Sequence, residues 1–69
     1  MTARYYARSA SDKTDDWPIW FVADRQYGGL NVTADLIRSI VDPTHDGATL
    51  TTRALAFAIA DMANQQVTP

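Results

Sequence analysis

A chain of 69 residues with six basic and eight acidic side chains, one histidine and no cysteine has room for one domain and few chemistries. Disulfides and thiolate metal sites are excluded, and a formal charge of −2 supplies neither the basic stripe of an electrostatic nucleic-acid binder nor the carboxylate run of a DNA mimic. So short a domain buries only about 60% of its unfolded surface, which leaves self-association or a partner protein as the expected support.

Residues 3–8, Ala-Arg-Tyr-Tyr-Ala-Arg, have β propensity without helical periodicity and are read as a first strand. Ser9 to Asp16 is polar, with three aspartates, and is read as a loop. The strongest strand follows over residues 17–23, Trp-Pro-Ile-Trp-Phe-Val-Ala, with Pro18 confined to its start or to an outer edge. Two such strands make an antiparallel hairpin, and a lone hairpin needs helices on one face to persist in water.

Asp24 to Gly29 is read as a turn, and Asn31 as the N-cap of a helix over 32–41. Val32, Leu36, Ile37, Ile40 and Val41 fall in one arc of that helix and form its expected buried face. Pro43 stops it, and Asp42 to Gly47 is turn chemistry. Thr49 or Thr51 caps a second helix over 51–65, with Leu55, Ala58, Ile59, Met62 and Ala63 as its core stripe and 66–69 as a tail. A short third strand around Ala48 to Thr51 stays open. The expected fold is therefore α+β: an antiparallel hairpin, with or without that third strand, packed against two α-helices.

Both faces of the second strand are apolar, so one of them exceeds what two helices can cover. The expected register turns Ile19 and Phe21 towards the helices and leaves Trp20 outward with Arg4, Tyr6 and Arg8. The alternative buries both tryptophans, with arginine stems over their rings. On the last helix, Phe57 projects about 160–200° away from the expected stripe, beside Arg53, Ala60, Asp61 and Asn64. Arg4, Tyr6, Arg8, Trp20, Arg53 and Phe57 are thus the candidate partner-binding residues.

Catalytic parts are missing. No serine has a credible base and orienting partner, and there is no thiol. Gly28-Gly29 lacks the spacing and the lysine of a phosphate loop. Asp42, His45 and Asp46 are accounted for by a solvated turn. Neither an enzyme nor a metal or other cofactor is expected. No apolar run approaches the roughly 18 residues of a membrane span, and Met1 to Arg8 carries no apolar signal core, so the cytoplasm is the expected location.

The pairing of Tyr5-Tyr6, the run from Trp20 to Asp24-Arg25, and Thr52 with Ala56, Ala60, Met62 and Ala63-Asn64 resembles a recurrent layout of very small proteins encoded by phages and prophages. The segment from Leu30 to Gly47 departs from it. Some proteins of this kind block a host protein, as anti-CRISPR proteins do, so the resemblance implies an inhibitor in the host cytoplasm. The leading expectation is a small protein-binding module that occludes a partner through aromatic residues, with a homodimer as a further expectation. A single-stranded nucleic-acid binder using Arg4, Tyr6, Arg8 and Trp20 comes second, and a structural subunit of a larger assembly third.

Overall fold

A computed structural model describes residues 3–10, 18–47 and 49–66. Strand β1 (Tyr5–Ser9) pairs antiparallel with β2 (Trp20–Asp24) in the register Tyr5↔Asp24 to Ser9↔Trp20. A turn then feeds β3 (Leu30–Asn31), which pairs antiparallel with the other side of β2 and gives the order β1-β2-β3. Helix α1 (Thr33–Leu36) runs directly into a π-turn over Ile37–Val41, and α2 (Arg53–Gln66) closes the chain against the sheet. The fold is α+β, a three-stranded antiparallel sheet with two helical segments. Trp17 and residues 11–16 of the expected loop lie outside the described residues, as do 67–69 of the expected tail, whereas Gln66 belongs to α2.

The central strand shows why so small a sheet holds. Trp20, Val22 and Asp24 turn their peptide groups away from β1, and each finds a different partner. Trp20 exchanges two backbone bonds with Thr51, of 2.9 and 2.6 Å. Val22 N–H donates to Thr33 Oγ1 at 2.8 Å, and its carbonyl accepts from Val32 N–H at 2.9 Å. Asp24 carbonyl accepts from Gly29 N–H at 2.9 Å. Two segments distant from each other in sequence, residues 29–33 and Thr51, therefore do the work of one long strand, as the rule that buried backbone groups must be paired requires. Of the segment left open as a third strand, 48–51, the described residues form a single bridge at Thr51, and the third strand of the sheet lies at Leu30–Asn31. Gly29 makes the sharp entry possible: its φ is +88°, and a Cβ there would stand 3.1 Å from the Tyr6 hydroxyl.

Thr33 is the most exacting of these partners. Fully buried, it accepts from Val22 and donates to Asn31 Oδ1 at 2.8 Å, while its own N–H is capped by the same Asn31 oxygen at 3.0 Å. The Asn31 side chain thus holds a first-turn N–H as a cap would, although the N-cap position itself falls one residue later, at Val32. Thr33→Val keeps the shape but orphans the Val22 N–H, and should lower the unfolding free energy by about 1–2 kcal/mol. Urea denaturation of Thr33→Val and Thr33→Ser checks it, because serine keeps the hydroxyl. Equal stability of the valine variant and the wild type would refute the assignment.

The second helix buries a face other than the one expected, whereas the first keeps most of its expected face and departs from it only at its end. In α2 the buried residues are Ala56, Ile59, Ala60 and Ala63, while Leu55 and Met62 are exposed. The helix is turned by roughly 80° from the expected stripe, taking 3.6 residues per turn. Alanines let its backbone approach a sheet whose own side chains are large, and a leucine at the contact would hold the two apart. Over the segment 32–41, Ile37 is buried, and Val32 and Leu36 pack against the core, but Val41 is exposed. The π-turn, closed by Asp42 N–H on Ile37 carbonyl at 2.8 Å, is wider than an α-turn and carries Val41 off the expected arc. The cap of α2 is Thr52, whose Oγ1 accepts from Leu55 N–H at 3.3 Å, in place of Thr49 or Thr51.

Candidate functional site

The orientation of β2 decides which side chains are available. Trp20 and Val22 point to α2, together with Tyr5 and Ala7 of β1, and all four belong to the core or pack on it. The expected register is therefore reversed: Trp20 is on the helix side, and alternation puts Phe21, Tyr6 and Arg8 on the opposite face. The β-branched Val22, with no exposed surface, is the residue that fits against the alanine stripe. Fixing it inward fixes Trp20 inward with it.

On the helix side, three of the six candidate residues come together. The rings of Trp20 and Phe57 stand 5.9 Å apart, tilted by 43°, and the Arg53 guanidinium lies 5.7 Å from the Trp20 ring and 5.5 Å from that of Phe57. Arg53 and Phe57 sit at i and i+4 on α2, which places them on one flank of the helix above the indole. Phe57 remains 49% exposed while its ring touches these two neighbours.

The other three candidates are elsewhere. Arg4 donates to both carboxylate oxygens of Asp24, at 3.0 and 2.9 Å, and also lies over the rings of Tyr5 and Tyr27. Asp24 is 2% exposed, and its Oδ1 also accepts the Gln26 N–H. The hydrogen bonds from Arg4 hold its carboxyl below the usual carboxylate range against the effect of burial, and Asp24 in turn raises the Arg4 guanidinium. Tyr6 has the Arg25 guanidinium 4.3 Å from its ring centre, and Arg8 is exposed on the same face. Arg4 therefore serves an ion pair, and Trp20 does not share a surface with Tyr6 and Arg8.

Beside Phe57 lies an open groove of about 510 Å³ that the sequence pattern did not reveal. One wall is the strand segment Tyr5, Tyr6 and Ala7; the other is the flank of α2 that carries Phe57, Asp61 and Asn64. Asn64 spans the two. Its Nδ2 donates to Tyr5 carbonyl and its Oδ1 accepts from Tyr5 N–H, both at 2.9 Å, the two bonds that a neighbouring strand residue would make. Only the helical spacing of Phe57 and Asn64, seven residues apart, hints at this groove in the sequence.

No family model, curated protein or solved structure matches the chain.

The turn after the π-segment has a purely local explanation. Asp42 Oδ1 accepts from the N–H and hydroxyl of Thr44, at 3.0 and 2.7 Å, which lowers its pKa. Among the described residues no group of three or more histidine, aspartate or glutamate side chains is placed to hold a metal ion, and no helix is long and apolar enough to cross a membrane.

Proposed function

We propose that this chain is a protein-binding module that occludes a surface of a partner protein, with Phe57 at the centre of the contact. The observation that carries this is the state of that ring: half exposed, flanked by Trp20 and Arg53, and beside an open groove. An aromatic anchor held in its bound position loses little entropy on association, and aromatic and arginine side chains dominate binding energy at protein interfaces. The resemblance to small phage-encoded proteins that block host proteins favours an inhibitor acting in the host cytoplasm. Stacking on single-stranded nucleic acid would need Trp20 on the face of Tyr6 and Arg8, and it packs on the other one.

Affinity capture from the native cell tests the proposal, with Phe57→Ala and Leu55→Ala as parallel baits. Leu55 is also half exposed but lies on the opposite flank of α2, so it controls for loss of any apolar side chain. The expected result is a partner that the Leu55 variant retains and the Phe57 variant binds about tenfold or more weakly. Equal recovery by both variants would remove Phe57 from the interface and the proposal with it. Sedimentation of the isolated chain shows whether the partner is a second copy.

A further inference from the structure

The groove has a backbone wall, and that wall has a vacancy of a definite kind. In β1 the even-numbered residues turn their peptide groups to β2: Arg4 carbonyl accepts from Arg25 N–H, and Ala10 N–H donates to Ile19 carbonyl, both at 2.8 Å. Tyr5 and Ala7 must then face outward. Val22, opposite Ala7 in the register, confirms it by giving its own N–H and carbonyl to Thr33 and Val32. Tyr5 is matched by the Asn64 amide, whereas no described residue pairs with the N–H or carbonyl of Ala7. An edge strand with an unpaired donor and acceptor, set beside a groove, accepts an extended chain.

We infer that the outer edge of β1 takes up an extended peptide segment of the partner as a fourth strand, paired at Ala7 and laid along α2. This rests on the binding role proposed above and specifies the form of the partner. A segment running on past Ala7 replaces the Asn64 amide at Tyr5, bond for bond, since that amide already occupies the place of a peptide group. Alternate side chains of the segment point into the groove, where an apolar one meets Phe57 and a lysine or arginine meets Asp61, a carboxylate with no described cation beside it. A second copy of this chain is the poorer occupant. Pairing β1 with β1 about a two-fold axis sets groove against groove and brings the two Asp61 carboxylates to the same interface.

The test uses the intact chain and a displayed library of random twelve-residue peptides. The best clone is synthesised with acetyl and amide ends, then N-methylated one residue at a time. Strand addition predicts a two-residue rhythm. N-methylation at two or three alternate positions should weaken binding about tenfold or more, while the intervening positions change it less than about threefold. The selected peptides should carry a basic residue, lose affinity severalfold on Asp61→Asn, and fail to bind Phe57→Ala. Failure to select any peptide, tolerance of every N-methyl group, or sensitivity at consecutive positions would each overturn strand addition. So would unchanged binding by Phe57→Ala, which places the peptide elsewhere. Dimerisation that Phe57→Ala abolishes would put a second copy in the groove and overturn it as well. If partner capture still depends on Phe57 while the methylation rhythm is absent, strand addition alone has failed; if capture is also indifferent to Phe57, the binding role has failed with it.

Discussion

Asp24→Asn is expected to cost about 2 kcal/mol of stability at neutral pH and to lower Tm by roughly 10 °C. The carboxylate ends β2 and ties three pieces together: the Arg4 guanidinium before β1, the Gln26 N–H at the turn to β3, and its own strand. Breaking a buried ion pair costs about 3–5 kcal/mol. The loss here is smaller because the Arg4 side chain is 31% exposed and water screens the pair. The sign with pH follows from the direction of the Asp24 shift. Its folded pKa lies below the unfolded value near 3.9, so the stabilisation is complete above that value and fades as pH falls through the folded pKa. The gap between wild type and Asp24→Asn should therefore be constant from about pH 5 to 8 and close on the acid side of about pH 4. Asp42 is lowered in the same direction, but it is retained in both proteins and cancels in the difference. Thermal melts of the pair across that range read the gap, and a difference that persists undiminished at pH 2 would show that the charge of Asp24 is not what stabilises.

How far the fold could be read from the chain depended on whether local chemistry or tertiary packing decided each element. Pairing of two aromatic strands, the Asn31 cap and the stop at Pro43 are local, and the structure places them close to expectation. The face of β2 was not local. Trp20 and Phe21 on one side or the other give equally apolar patterns, and a shift of one residue exchanges them. What settles the choice is Val22 against the alanines of α2, a match between two distant segments. Similarly, β3 and the bridge at Thr51 exist because β2 has an open side to satisfy, and only the second of these segments was a candidate strand in the sequence. The site divides in the same way. Arg53 and Phe57 were legible from helical spacing, and their position over Trp20 was not. Arg4 has the composition of a binding residue and the position of a structural one, because the carboxylate it pairs with is twenty residues away in sequence. The groove escaped notice for the same reason: one of its walls is peptide backbone, which no side-chain pattern reports.

Ile59→Ala should be the most damaging single truncation in α2, with a loss of about 2–5 kcal/mol, enough to unfold much of so small a protein. Ile59 is 1% exposed and belongs to the cluster formed with Val22, Ile37, Ala56 and Ala60. The contrast that gives this result its meaning is Leu55→Ala. Hydrophobicity alone ranks Leu55 and Met62 with Ile59 as one stripe, in which case both truncations would be severe. With Leu55 47% exposed, its removal should change stability by less than about 0.5 kcal/mol. Ala56→Leu probes the contact from the other direction. Ala56 has no exposed surface, so the added carbons must lift α2 from the sheet, at about 1–3 kcal/mol, although leucine is the more hydrophobic residue. Urea denaturation of the three variants distinguishes the two stripes by sign as well as size. A severe Leu55→Ala together with a neutral or stabilising Ala56→Leu would mean that α2 presents its leucine and methionine to the sheet. The flank that carries Phe57 and Asn64 would then no longer face β1, and the groove beside it would close.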